Sequence, residues 1–168
     1  LSFEDGSASV VLDSTYKEYI FKFTDIHPAS NGVSLGFQGN AAGGSGYNET
    51  ITSTFFQCIH AENDTAITAP AYETDSDQAQ GTGFQQIIRY LGNDNDQSGA
   101  GYLHIFNPSD TTFVTHFISD IHHSHASDRA ERDFAAGYFN VTSALDEFQF
   151  KMSSGNIDAG TIKLYGVT

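Results

Sequence analysis

The sequence has a single cysteine and no tryptophan among its 168 residues. One cysteine, Cys58, excludes an intramolecular disulfide, so the chain is not a small disulfide-held domain. No apolar run approaches the roughly 18 residues that a membrane-spanning helix needs. No segment repeats apolar residues at i, i+3 and i+4 over several turns, which argues against amphipathic helices. Whatever fold forms must therefore be held by an ordinary hydrophobic core without long helices.

Basic residues are also scarce. Seven Lys and Arg face 21 Asp and Glu, a formal net charge of −14, and no basic residue lies between Lys22 and Arg89. Such a chain repels nucleic acid and the anionic face of a membrane. We therefore expect neither nucleic acid nor membrane among its partners.

The residues that are abundant indicate β-structure. There are 14 Phe and 8 Tyr, and Tyr19, Phe21 and Phe23 alternate with other residues at the period of two that marks a strand. About ten such segments are separated by turn-rich stretches, and they cover residues 8–12, 19–24, 33–37, 51–59, 84–91, 102–106, 113–119, 134–139, 145–152 and 161–165. This pattern predicts an all-β fold, an antiparallel jelly-roll-like β-sandwich of about 8–10 strands.

The same alternation predicts the domain limits and the core. We expect residues 1–12 to be a leading segment or linker and residues 13–168 to form one domain. The best helix candidate is a short charged segment, Ser127–Phe134. The side chains expected to be buried are Tyr19, Phe21, Phe23, Phe37, Phe106, Phe117, Phe148, Phe150 and Leu164.

Two acidic pairs, Asp75/Asp77 and Asp94/Asp96, resemble the start of a calcium-binding loop. The acid at the twelfth position and the flanking helices of such a loop are absent, so we interpret the four residues as turn residues. Three tyrosines, Tyr47, Tyr72 and Tyr90, lie near these turns. Because aromatic rings stack on sugars and carboxylates bond hydroxyl groups, these seven residues are our candidate surface for a glycan or receptor.

The segment His122–His125 raises a metal hypothesis. In an extended chain His123 and His125 point to the same side, and three symmetry-related copies would bring six nitrogens to one axis, with Asp120, Asp128 and His122 as further ligands. The alternative is an exposed polar loop, which the neighbouring charges favour. We therefore assign no metal and no other cofactor.

Little in the sequence indicates catalysis. There is no Gly-x-Ser-x-Gly motif, and Cys58 lies in an apolar run where a buried thiol is expected. Carboxylate pairs for sugar cleavage are available, but no pattern selects one. We expect a protein that is not an enzyme, with a polysaccharide-degrading enzyme as the second alternative function.

Two stretches carry a family resemblance. Residues 13–29 contain Ser14-Thr15-Tyr16 and Ile26-His27-Pro28, and residues 148–167 contain Ser154-Gly155-Asn156-Ile157 and Gly160-Thr161-Ile162. With Asn107-Pro108 in the middle, the chain resembles C-terminal modules of virion structural proteins in tailed bacteriophages, especially marine ones.

This resemblance implies a location and partners. It implies a virion protein of the tail-fibre or capsid-decoration type that assembles as a homo-oligomer, with a trimer favoured, contacts other virion proteins and binds a host-surface glycan. The first alternative is a soluble lectin-like module that binds glycan outside any particle.

Overall fold

A computed structural model describes residues 1–67 and 69–168, which form twelve strands and no helix. The strands are β1 (Ser2–Glu4), β2 (Glu18–Pro28), β3 (Val33–Ala41), β4 (Ile51–Ala61), β5 (Ala71–Tyr72), β6 (Ala79–Gly81), β7 (Gln85–Leu91), β8 (Gly99–Phe106), β9 (His116–His125), β10 (Arg129–Phe139), β11 (Leu145–Met152) and β12 (Ile157–Val167). All pairings are antiparallel. The predicted all-β sandwich-like fold is confirmed. In the described part of the chain nothing helical is long or apolar enough to cross a bilayer.

The hydrogen-bonded sheet folds into two layers. One layer has the order β12-β2-β8-β9-β10-β4, and the short strands β5 and β6 both pair with β4. The other has the order β1-β11-β3-β7. The layers are joined at a corner where β7 meets β9 through the single pair Leu91–His125.

Aromatic rings from both layers fill the space between them. Phe21 of β2 contacts Phe148 and Phe150 of β11, with ring centroids 5.8 and 4.9 Å apart. Phe37 of β3 contacts Phe117 of β9 at 5.0 Å. These rings are at most 1% exposed, as an alternating strand pattern requires when one face is covered.

Two residues predicted to be buried are only half-buried. Phe106 shares β8 with Leu103 and Ile105, which are fully buried, so alternation turns the Phe106 ring to the outer face of the sheet. Leu164 lies on the edge strand β12, where one side is open, and only part of its side chain packs on the core.

The predicted short helix at Ser127–Phe134 is wrong. Residues 126–128 form the turn of a hairpin, and Arg129 begins β10. The charges that suggested a helix lie on alternate faces of this strand, with Glu131 and Asp133 inside and Arg132 outside. The hairpin of β9 and β10 positions both sites described below.

The first twelve residues pack against the sandwich. Strand β1 pairs with β11, and Leu12 is 1% exposed in the core. The backbone N–H of Leu12 donates a hydrogen bond to Asp5 Oδ1 at 2.8 Å. The expected leading segment therefore supplies a strand and a core side chain.

Candidate functional site

The structure places the seven predicted surface residues in three separate locations. Tyr47 lies beside Ser2 and Glu147, at the edge formed by β1 and β11, and burial raises the pKa of its hydroxyl. Tyr72 and Asp77 lie near β4, where the Tyr72 hydroxyl donates to Asp77 Oδ2 at 2.5 Å.

Asp75 is exposed in the turn between β5 and β6. Tyr90 lies on β7, with the Arg89 guanidinium 4.9 Å from its ring centroid. Asp94 and Asp96 are exposed in the turn that follows β7. The predicted residues thus do not form one continuous surface, and only Tyr72 belongs to the larger aromatic surface on the outer side of the sheet.

That aromatic surface crosses five strands in a single register row. Tyr102 of β8 pairs with Asp120 of β9, Asp120 with Phe134 of β10, Phe134 with Phe56 of β4, and Phe56 with Tyr72 of β5. We call these five residues the aromatic face. Phe56, Tyr72 and Tyr102 are 42%, 53% and 46% exposed, which is high for large side chains.

Packing within the aromatic face holds its rings in place. The Phe56 and Phe134 rings stack at 4.7 Å with an angle of 13° between their planes. The Arg132 guanidinium lies 4.8 Å from the Phe134 centroid and binds Asp120 through two hydrogen bonds of 2.8 and 2.7 Å. Such a bidentate ion pair fixes both side chains more firmly than a single contact does.

A groove of about 530 Å³ runs beside the aromatic face. Thr54, Ala136, Ile118, Tyr138 and the half-buried Phe106 are among the residues that line it. The groove and the aromatic face together form an outer surface that is largely apolar and flanked by polar groups.

Cys58 lies on the same outer side, opposite Arg132, and is exposed. The expectation of a buried thiol is wrong, because Phe55 and Gln57 are the inward-facing residues of β4. Alternation then turns the Cys58 side chain outward.

A second site lies inside the sandwich, on the β9–β10 hairpin. The register places Glu131 opposite His123, and Asp133 follows two residues later on the same face. His123, Glu131 and Asp133 are 0%, 2% and 0% exposed. We call these three residues the interior cluster.

Close contacts join the interior cluster. His123 Nε2 lies 3.0 Å from Asp133 Oδ2 and 3.8 Å from Glu131 Oε2. The backbone N–H of Arg89 donates to Asp133 Oδ2 at 2.8 Å. One ligand atom from each of the three side chains lies within 4.8 Å of the others, a spacing that suits a shared cation.

Further polar groups surround the cluster. The Arg89 guanidinium pairs with Glu73, which also accepts a hydrogen bond from Gln57 Nε2 at 2.8 Å. The backbone N–H of Ser127 donates to His125 Nδ1 at 2.8 Å, so in the neutral ring the proton is on Nε2, which faces Glu131 Oε1 at 3.9 Å.

Burial dominates the titration of this region. Burial raises the pKa of Glu131 to about 7, with the nearby Asp133 carboxylate acting in the same direction and the His123, Arg129 and Arg89 charges against it. Burial also lowers the pKa of His125 to about 4, reinforced by the positive charges of Arg129 and His123. Both groups therefore favour their neutral forms.

Several atoms around the cluster have no hydrogen-bond partner among the described residues. They are Asp133 Oδ1, His123 Nδ1 and Gln57 Oε1, all inaccessible to solvent. Because buried polar atoms are nearly always paired, three in one region need an explanation.

These positions do not fit the hypothesis of a metal site on a symmetry axis. The two histidines do share one side of β9, but that side faces the interior, and His123 cannot meet a second chain. Of the other expected ligands, Asp120 faces outward to Arg132, His122 is exposed, and Asp128 lies in the turn. The alternative was a polar loop whose histidines are solvated or bonded to nearby carboxylates: His123 is neither in a loop nor solvated, but it does contact the Asp133 carboxylate.

Sequence reasoning missed Glu131 and Asp133 as site residues. A signal was available, because a hairpin whose turn is centred on Ser127 places residue 123 opposite 131. Gln57 and Glu73 gave no comparable signal, since they join the cluster through distant segments.

Comparison of the chain with protein-family models, with curated proteins and with solved structures finds no match. The binding role proposed below therefore rests on the geometry of the site.

Proposed function

We propose that the chain is a binding and assembly module of a tailed-phage particle, of the tail-fibre or capsid-decoration type, which attaches to host-surface glycan through the aromatic face. The sequence resemblance to virion structural proteins supports the proposed location in a phage particle. The single observation that carries the binding role is the row that places the rings of Tyr102, Phe134, Phe56 and Tyr72 on β8, β10, β4 and β5, with Asp120 of β9 between the first two. Contiguous exposed apolar surface of this kind typically marks a binding site.

The chemistry of the aromatic face favours sugar as the bound molecule. Ring faces accept the apolar C–H side of a pyranose, and the Asp120–Arg132 pair offers both acceptors and donors to hydroxyl groups. The net charge of −14 repels acidic polymers. We therefore propose a neutral glycan.

A soluble lectin-like module would use the same face and differ only in lacking a particle. A polysaccharide-degrading enzyme needs carboxylates that reach the polymer. Glu131 and Asp133, which lie close together, are at most 2% exposed, so this pair does not support that alternative.

A glycan array probed with the purified chain tests the binding role. Phe56→Ala and Tyr102→Ala should each reduce retention at least about tenfold, since aromatic anchors dominate such interfaces. Tyr90→Ala is the matched control, because Tyr90 is also 46% exposed but lies in the other layer, and it should bind like the parent chain.

The outcomes separate the hypotheses. Equal retention by all variants, or loss only with Tyr90→Ala, would contradict the role of the aromatic face. Labelling intact phage particles with an antibody against the chain then distinguishes a virion module from a free lectin, because only the former is found on particles.

A further inference from the structure

The interior cluster presents an unusual electrostatic situation. Two carboxylates, Glu131 and Asp133, are withdrawn from water beside one imidazole, and only Asp133 is within hydrogen-bonding distance of His123 Nε2, at 3.0 Å, while Glu131 Oε2 lies 3.8 Å away. A buried charge is costly unless an opposite charge or hydrogen bonds compensate it. The cluster must therefore take up protons or a cation.

The protein's own arginines compensate the two carboxylates only in part. The Arg89 guanidinium is engaged by Glu73, and only the Arg89 backbone N–H reaches Asp133. Arg129 is half-exposed at the start of β10 and makes no ion pair within 4.0 Å among the described residues. Glu73 itself adds a third carboxylate to the region.

An independent observation indicates that the interior cluster binds a ligand. Gln57 is 5% exposed and lies opposite Asp133 in the register of β4 and β10, yet its Oε1 has no donor within residues 1–67 and 69–168. Asp133 Oδ1 has none either. Two acceptors without a donor, on one buried face, are what a bound cation would satisfy, whereas protonation of Glu131 leaves both unpaired.

We propose that the interior cluster binds one divalent transition-metal cation, with Zn²⁺ the best fit, through the His123 imidazole and one carboxylate oxygen from each of Glu131 and Asp133. An imidazole with two carboxylates suits such ions, and three protein ligands are too few for Ca²⁺, which takes six to eight oxygens. Gln57 lies opposite Asp133 in the register, and we propose its amide oxygen as the fourth ligand.

His125 has a positioning role in this site. Its Nδ1 already accepts the Ser127 N–H, so its Nε2–H faces Glu131 Oε1 and leaves Oε2 toward His123. Partners that orient a metal-binding carboxylate in this way commonly support metal affinity.

We propose that the ion enters from the end of the hairpin. A pocket of about 550 Å³ is lined by Ala61 and Arg129, which pair two residues beyond the Ile59–Glu131 pair. Glu62 and Asp128 also line it and would attract a cation.

The test uses the purified full chain stripped with EDTA and then titrated with Zn²⁺. Calorimetry and elemental analysis should give one Zn²⁺ per chain, and the melting temperature should rise by about 5 °C or more at a hundredfold excess over the dissociation constant. Ca²⁺ at the same concentration should give no comparable rise.

Variants assign the binding to the cluster. Glu131→Gln and Asp133→Asn should weaken Zn²⁺ binding at least about 100-fold, because removing a ligand costs no less than removing an orienting partner. His122→Gln is the matched control, since His122 is the exposed neighbour of His123 and should leave the affinity unchanged.

Histidine-selective NMR of the parent chain keeps the test valid if a variant fails to fold. The His123 ring resonances should shift on adding Zn²⁺, and those of His122 should not. Absence of saturable one-to-one binding, unchanged affinity in both cluster variants, or shifts confined to exposed histidines would overturn the proposal.

Discussion

Phe150 lies at the centre of the aromatic core, and four other rings surround it. Phe21 and Phe23 of β2 lie 4.9 and 5.4 Å from it between centroids, and Phe3 and Phe37 lie 6.0 and 6.3 Å away. Aromatic pairs add to the burial energy of each ring. This one side chain therefore joins β11 to three other strands.

Phe150→Ala should lower the free energy of unfolding by about 3–5 kcal/mol, because it leaves a cavity that rigid neighbouring rings cannot fill. Urea unfolding measures the loss. Phe113→Ala is the control, since Phe113 is 72% exposed in a loop and should change stability by no more than about 0.5 kcal/mol. An unchanged thermal midpoint for Phe150→Ala would contradict the register of β11.

Glu131 should make stability depend on pH in the metal-free protein. Its pKa is about 7 in the folded chain and near 4.5 when unfolded, so between these values only the folded chain holds the proton. The stability of the parent must therefore fall as pH rises through this window. His125 opposes this, because its pKa of about 4 in the folded chain makes stability rise between pH 4 and 6.5.

Comparing Glu131→Gln with the parent cancels the His125 contribution. Relative to the parent, the variant should gain about 3 kcal/mol in the free energy of unfolding between pH 5 and pH 8. Denaturant unfolding in EDTA at both pH values measures this. A difference that is constant with pH would show that Glu131 ionises normally in spite of its burial beside Asp133.

At the scale of elements, the β9–β10 hairpin shows what local pattern can and cannot reveal. The predicted strand at residues 113–119 ends at Ser119, whereas β9 continues to His125 with the polar residues Ser119 and His123 on its inward face. Because Glu131 and Asp133 are charged, the sequence pattern predicted that they face solvent or belong to a helix. A rule that equates charge with exposure fails where a strand buries its acids against a histidine.

Nine of the predicted strands are present, but the predicted strand at residues 8–12 is wrong, and the short strands β1, β5 and β6 were not predicted. Strand partners could not be predicted from the sequence. Leu145–Met152 was predicted at its observed bounds, since Phe148, Phe150 and Met152 alternate cleanly. The aromatic face needs five strands from distant parts of the chain in one register, which no local period encodes. Phe56 and Phe134 were therefore missed as site residues although both segments were predicted to be strands.

The pairing of β2 with β12 contains a bulge at Gly160. The register shifts on either side of Ala159, and Gly160 has φ +106°. A Cβ at Gly160 would lie 2.5 Å from the Asp25 carbonyl oxygen, which is backbone and cannot move aside. The bulge twists the edge strand, a feature that limits unwanted strand pairing.

Gly160→Ala should destabilise the chain by about 3 kcal/mol or more, combining positive φ with the close approach. Gly6→Ala separates the two effects, because Gly6 has φ +74° but no atom within 4 Å of its added Cβ, and it should cost about 1–2 kcal/mol. Thermal unfolding of both variants is the measurement. Equal losses of stability in the two variants would show that the β2 backbone at Asp25 moves to accommodate the added Cβ.

At the scale of the whole molecule, net charge and exposed aromatic side chains have opposite effects on self-assembly. Exposed rings such as Tyr102 and Phe56 favour contact between chains, whereas a charge of −14 on each copy repels a second copy. Trimer formation, which we propose from the phage resemblance, must overcome this repulsion. The stability of the trimer should then depend on ionic strength.

We expect the trimer fraction at micromolar concentration to increase when NaCl is raised from about 20 to 500 mM, because screening shortens the range of the repulsion from roughly 20 Å to a few ångströms. Light scattering across this series gives the mass. A complex held by ion pairs would dissociate instead, since salt weakens attraction between opposite charges as well. A monomeric mass at every salt concentration would contradict self-assembly and leave contacts with other virion proteins as the only route into a particle.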